Sequence, residues 1–374
     1  MPRFLVLFLA SLTCLDAATF VGSKACQTCH PSVYARWAKT RMANVVRDPA
    51  KDPSVVVGDF SKPNPLVTFK VSDVAFVYGD KWKQRYFYKK GNDYFVYPVQ
   101  WDIQNKVWRA YHPAKGTDWW TAFYPDDQAQ RPTGPLCDGC HSVNYNLTTH
   151  DVTEWNVGCE KCHGPGSDHA AKPSLANIVN PARLDHVRGN DVCMQCHTQG
   201  KPPKNPIDGK YYDWPVGYVA GDRLADFWQL EEHKLGELSF THFPDGTAHK
   251  NRMQGNDFVQ SQMYKHGISC FGCHDVHGTA NNADTLKPAN VLCQTCHTNI
   301  DAAAHSHHAA GTAGAECTGC HMPKIEQTIA DVNVRAHTFQ FIPAACNVCH
   351  KDKDAAWTKQ NLEKWPNFSP WRFQ

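Results

Sequence analysis

Residues 157–169 read VGCEKCHGPGSDH. Cys159 and Cys162 stand two residues apart, His163 follows at once, and His169 comes six residues later. This stretch decides the fold because its spelling recurs. The chain has 374 residues and 17 cysteines. Apart from Cys14, they form eight Cys-x-x-Cys pairs: Cys26/Cys29, Cys137/Cys140, Cys159/Cys162, Cys193/Cys196, Cys270/Cys273, Cys293/Cys296, Cys317/Cys320 and Cys346/Cys349. A histidine follows every pair: His30, His141, His163, His197, His274, His297, His321 and His350.

A disulfide framework would not require a histidine after each pair. A zinc site combines one Cys-x-x-Cys pair with a second, distant pair of ligands, and an abutting histidine is poorly placed for that tetrahedron. A thioredoxin-type dithiol occurs once, beside a βαβ pattern. Covalent c-type haem attachment explains the whole pattern. Each cysteine forms a thioether to a porphyrin vinyl group, and the adjacent histidine supplies the proximal iron ligand. The expectation is eight covalently bound haems c, using every cysteine after Cys14.

Thirteen of the 21 histidines remain: His112, His150, His169, His186, His233, His242, His249, His266, His277, His305, His307, His308 and His337. Haem iron takes a sixth ligand on its distal face, so this surplus is a pool of distal ligands. Position sorts them. His169 lies a short loop beyond its own motif, His277 sits in CHDVH, and His266 just precedes Cys270. Ligands beside one attachment motif commonly serve a neighbouring haem, so His169 is expected on an iron other than that of Cys159 and Cys162. His249 is a further candidate and His242 a weaker one.

After His30, 106 residues pass before Cys137. Within that gap Phe95, Tyr97, Val99 and Trp101 alternate with Tyr94, Val96, Pro98 and Gln100, the period of a strand. Turn residues stand at 90–93 and 102–105. The expected architecture is a multihaem cytochrome c: short helices and loops wrapped round a haem chain, with a small N-terminal antiparallel β-meander insertion. Residues 1–18 read as a secretory signal peptide, with a basic start and an apolar run from Phe4 to Leu15. Residues 19–135 hold the first motif and a β-rich insertion at about 55–112, and 136–374 form a seven-haem domain. A lipoprotein reading through Cys14 is weaker, since Ser11 stands where such signals carry leucine. No later run is long and apolar enough for a membrane helix. The expected location is periplasmic or extracellular.

The mean hydropathy of −0.52 suits a fold whose oily core is cofactor, roughly one porphyrin per 45 residues. The polypeptide carries +2. Sixteen propionates and eight ferric centres bring the holoprotein to about −6, and to about −14 when reduced. The 38 lysines and arginines are expected to pair with propionates, and no nucleic-acid patch is seen.

The stretches GCEKCHGPGSDH, SQMYKHGISCFGCHDVHG, ANVLCQTCH, HSHHA, ECTGCHMP and RAHTFQFIP cover most of 137–350. In them the chain resembles the multihaem cytochromes related to cytochrome c-554, a group akin to hydroxylamine oxidoreductase and the multihaem nitrite reductases. The resemblance implies haems in alternating stacked and perpendicular pairs. It also implies distal ligands at His169, His277, His337 and one of His307 or His308. Relatives carry a pattern like W-x-x-S-x-H after the first motif, whereas here Trp37 leads to Met42. Met42 is therefore either a thioether ligand to the first haem or a packing residue.

Three functions fit. The first is electron transfer with redox partner proteins such as other cytochromes, quinol-oxidising complexes or terminal reductases. The second is an oxidoreductase acting on a small nitrogen or sulfur species, which needs an open iron. The third is a subunit of a conductive filament of identical chains. In the related nitrite reductases the active haem has a lysine for its proximal histidine; all eight motifs here end in histidine.

Overall fold

The computed structural model describes residues 17–111, 131–232, 235–239, 241–250, 252–279, 284–326, 333–342 and 344–366. Most of the expected signal peptide, together with His112 and His233, lies outside the described residues.

The helices are short: α1 (Ser23–Gln27), α2 (Pro31–Trp37), α3 (Gly139–His141), α4 (Cys159–His163), α5 (Ser167–Ala171), α6 (His186–Met194), α7 (Gln254–Phe258), α8 (Gln262–Lys265), α9 (Ala289–Cys293), α10 (Ala302–Ser306), α11 (Cys317–His321), α12 (Ala345–Cys349) and α13 (Ala355–Leu362). Most exist to present a cysteine pair. The first cysteine's carbonyl accepts from the N–H of the motif histidine at 2.9 Å for His30, 3.1 Å for His197, 3.0 Å for His274 and 2.8 Å for His350. One helical turn puts residues i, i+3 and i+4 on one face. The two sulfurs and the imidazole therefore share a side.

The expected meander is present. Five antiparallel strands lie in the order β1 (Val46–Arg47), β2 (Phe76–Tyr78), β3 (Lys83–Lys90), β4 (Asp93–Asp102) and β5 (Val107–Ala110). Lys90 pairs with Asp93, which leaves the two-residue turn Gly91-Asn92. Gly91 takes φ +64° there, a conformation open to glycine. In the next turn the Asp102 carboxylate accepts from the backbone N–H of Asn105 at 3.0 Å and from Arg109 at 2.8 Å.

Both faces of the sheet are buried. Val77, Tyr86, Val99, Trp101 and Trp108 pack under Val55, Val74, Phe60 and Phe69. On the other face, Tyr78, Phe87 and Val96 pack with Val46, Cys137 and Trp155. The sheet thus rests on the second cysteine pair, and the Tyr78 hydroxyl donates to Asp138 at 3.0 Å. The sheet also starts earlier than the insertion expected at 55–112. The side chain of Asn156 holds β1, accepting from Val46 N at 2.6 Å and donating to Val46 O at 3.0 Å.

The segment before α1 is sewn to α4. The buried Glu160 carboxylate accepts from Val21 N at 2.9 Å, Gly22 N at 2.7 Å and Gly166 N at 2.7 Å. Ser23 donates to Glu154 at 2.6 Å and accepts from Cys159 N at 2.8 Å. This carries the first motif to the third across more than a hundred residues of sequence. Among the described residues, no helix is long and apolar enough to cross a membrane.

Candidate haem-binding sites

Four motif histidines have a second imidazole opposite. His30 faces His169 with ring centres 6.4 Å apart and planes 10° apart. His163 faces His277 at 6.1 Å and 10°. His321 faces His305 at 6.2 Å and 18°, and His350 faces His308 at 6.3 Å and 40°. These separations are too long for ring contact. A metal–imidazole bond of about 2 Å on each side, plus roughly 1 Å from ring nitrogen to ring centre, spaces two trans imidazoles a little over 6 Å apart. The rings fit an iron between them.

The hydrogen bonds point the same way. His163 Nδ1 donates to Val179 O at 2.7 Å, His337 Nδ1 to Arg335 O at 2.9 Å and His308 Nδ1 to Ser306 O at 2.6 Å. His169 Nδ1 lies 3.1 Å from Ser174 O, and His197 Nδ1 3.2 Å from the Gln254 side-chain oxygen. An Nδ1–H held by an oxygen fixes the tautomer that leaves Nε2 as a metal ligand. Burial depresses His163, and it takes His337 down to about 4, so each is neutral near pH 7, as a ligand must be.

The motifs also approach one another. Cys159 lies against Cys26 and pushes its thiol up, and Cys140 acts likewise on Cys196. Cys270 raises Cys193 in the same way, and Cys317 contributes, after burial, to raising Cys293. Thioether formation would abolish these titrations but not the proximity. Neighbouring attachment motifs therefore lie side by side. All sixteen described cysteines are unbridged.

The cysteines are not equally enclosed. Cys140 is buried, and most of the others are half-buried, but Cys29, Cys296 and Cys349 are exposed. Each is the second cysteine of its pair. Cys29 and Cys296 stand just past the ends of α1 and α9, and Cys349 is the last residue of α12. Helices of five residues have too little surface to cover a side chain at their C-terminal end. The spacing that marks Cys29 and Cys296 as thioether positions is unaffected, since Cys29 N and Cys296 N still close the turn onto Cys26 O at 3.2 Å and Cys293 O at 3.3 Å.

The expected distal ligands divide. His169 stands opposite His30, not opposite the histidine of its own motif, and His277 opposite His163. His337 is half-buried within electrostatic reach of His274 and His197. Of the pair His307/His308, His308 faces His350, while His307 lies on Trp365 with ring centres 4.5 Å apart. The left-handed turn at His307, φ 57°, sends its neighbours in different directions. The ring across from His30 belongs to His169, which favours the packing alternative for Met42. Met42 is half-buried and its carbonyl accepts from Val157 N at 3.0 Å, a packing position before α4. His249 is buried but turned the other way, its Nε2 donating to Ser239 O at 2.8 Å. His242 is buried with Nδ1 2.9 Å from the Thr241 hydroxyl. His266 is exposed at the end of α8. His305 was absent from the expected ligands, and its place on α10 is the signal that could have found it: a helix capped by Asp301 aims it away from His307 and His308.

Two family profiles match. "Doubled CXXCH motif" covers residues 263–302, and "Cytochrome c554 and c-prime" covers 103–164. The chain is a multihaem c-type cytochrome. Its kind is that of cytochrome c554 and its hydroxylamine-oxidoreductase-like relatives. It is 26% identical over 150 residues to the multiheme cytochrome MtrA of Shewanella baltica (strain OS185), covering 37% of this chain and 41% of that protein. It is 22% identical over 400 residues to the dissimilatory sulfite reductase MccA of Wolinella succinogenes, covering 88% of this chain and 50% of that protein. The chain thus spans half or less of the length of these curated relatives. Among solved structures, the outer cell wall cytochrome OcwA superposes with a TM-score of 0.73 at 23% identity, over 93% of this chain and 87% of that one. The undecaheme cytochrome from the S-layer of Carboxydothermus ferrireducens gives 0.52 at 18% identity, over 93% and 60%. These likenesses speak to the fold of this cytochrome.

Proposed function

We propose that this cytochrome carries electrons along a chain of eight covalently held haems, outside the cytoplasm. The observation that carries the reading is the set of four histidine pairs 6.1–6.4 Å apart. Bound haem supplies an iron that changes oxidation state by one electron; the chain's residues hold, space and tune it. At these four motifs the facing imidazoles would hold a bound iron from both sides and leave it closed to substrate, which suits relay rather than turnover. Residues 136–374 carry seven of the attachment sites and 19–135 the first, beside the sheet. Partners are redox proteins at either end: other cytochromes, quinol-oxidising complexes or terminal reductases. Self-assembly into a filament is the alternative arrangement. In potentiometric titration, the holoprotein should reduce and reoxidise fully in several one-electron steps, without steady turnover of nitrite, hydroxylamine or tetrathionate. A high-spin haem with steady turnover would overturn the carrier reading.

One site favours the enzymatic alternative. His141 has its Nδ1 enclosed, and the Tyr78 ring stands 5.4 Å from its own. Burial first, then Arg252 and Arg85, hold it down to about 4. Such cationic neighbours suit a small anion. Should turnover be found, the haem of Cys137 and Cys140 is where it belongs.

A further inference from the structure

Beside the fourth motif lies a helix that carries no cysteine. In α7 (Gln254–Phe258), Gly255 N donates to His197 O at 2.8 Å. That approach needs a glycine: a Cβ on Gly255 would fall 2.5 Å from the Thr198 methyl and 2.9 Å from Met194 Cγ. The next two residues tie the helix down. Asn256 accepts from Gln199 N at 2.8 Å and donates to Gln199 O at 3.0 Å. The buried Asp257 carboxylate accepts from Ala248 N and from His337 N, both at 2.9 Å. Gln254 thus stands on a helix held at three successive residues. Its Oε1 lies 3.2 Å from His197 Nδ1.

An amide oxygen only accepts, so the imidazole proton sits on Nδ1 and Nε2 is left for a metal. A reversed amide would donate to Nδ1, put the imidazole proton on Nε2 and block ligation. At His163, His308 and His337 the acceptor is a backbone carbonyl, which no substitution removes or charges. At His197 it is a side chain. We propose that Gln254 is a positioning residue for the haem of Cys193 and Cys196: it fixes the ring and tautomer of His197 and sets how strongly that imidazole donates to iron. The inference rests on the reading of His197 as the axial ligand of its motif. A neutral amide polarises Nδ1–H weakly. A carboxylate in its place would draw harder on that proton, make Nε2 the stronger donor and favour the ferric state.

The test is a redox titration of the purified holoprotein followed by EPR and visible absorption. Gln254→Glu should move one midpoint to lower potential, and Gln254→Leu should move the same one higher, with the covalent haem count unchanged in both. Opposite signs are the decisive reading, because a helix that is merely disturbed would shift both variants the same way. Shifts of one sign, or no shift in either variant, overturn the proposal. Should the glutamate variant load fewer haems, the leucine variant decides alone: a higher midpoint supports the role and an unmoved one overturns it. His197→Ala checks the underlying reading and should cost one low-spin haem. An unchanged spectrum there removes His197 as a ligand and the role of Gln254 with it; a null result at Gln254 alone removes only the positioning role.

Discussion

A histidine serves iron through whichever ring nitrogen its surroundings leave open. His163, His308 and His337 each give Nδ1–H to a backbone carbonyl, whereas His249 spends Nε2 on Ser239. The distinction yields a paired prediction. His169→Ala should convert one haem from low-spin to high-spin, read by EPR, with the covalent haem count unchanged. Met42→Ala should leave the spectrum as it was and show no loss of a His/Met near-infrared band. The opposite outcome would return Met42 to the iron. The eight Cys-x-x-Cys-His turns were legible in the sequence, because one fixed spacing recurs along the chain. The imidazoles that face a motif histidine were legible only where they adjoin a motif, as His169 and His277 do. Partners such as His305 and His321 are joined by the path of the chain, here the left-handed turn at His307, and no local spacing encodes that path.

At the scale of elements, buried carboxylates do the joining. Glu160 has three backbone N–H groups on it, from Val21, Gly22 and Gly166. Hydrogen bonds to a charged group are worth about 1.5–3 kcal/mol each, and leaving their donors unpaired costs more. Glu160→Ala should cost ~3 kcal/mol and release the first motif from the third. Hydrogen exchange at residues 19–23 reports it; unchanged protection there would show that the carboxylate is not the clasp. The second cysteine pair has a different constraint. A Cβ on Gly139 would fall inside the Trp214 indole. Gly139→Ala should therefore displace Trp214 and change its fluorescence, and an unaltered spectrum would contradict that packing. Strand β4 was legible in the alternation at 94–101, and the turn residues at 90–93 and 102–105 marked where its neighbours β3 and β5 join it. β1 was not, since two residues have no period and Asn156 supplies their pairing from far along the chain. The burial of both sheet faces also escaped the sequence, because the second face is covered by the cysteine pair of 137–140 rather than by more sheet.

For the whole molecule, the packed apolar clusters lie in the sheet, around Tyr212 and Trp214, and around Leu224 and Trp228. The last four motifs have mostly half-buried or exposed surroundings. Their core has to come from porphyrin, which buries apolar area the polypeptide lacks. Expression without the c-type maturation machinery should thus give a protease-sensitive chain, most of all beyond residue 262. A compact apoprotein would contradict this. Intact mass and pyridine haemochrome should report eight covalent haems, and bound zinc or disulfides in their place would remove the basis of the account. The most direct test is the identity of both axial ligands at every iron in a structure of the purified holoprotein. The account predicts His30 with His169, His163 with His277, His321 with His305, and His350 with His308. An iron at any of these motifs with solvent, methionine or another residue across from the motif histidine would contradict it.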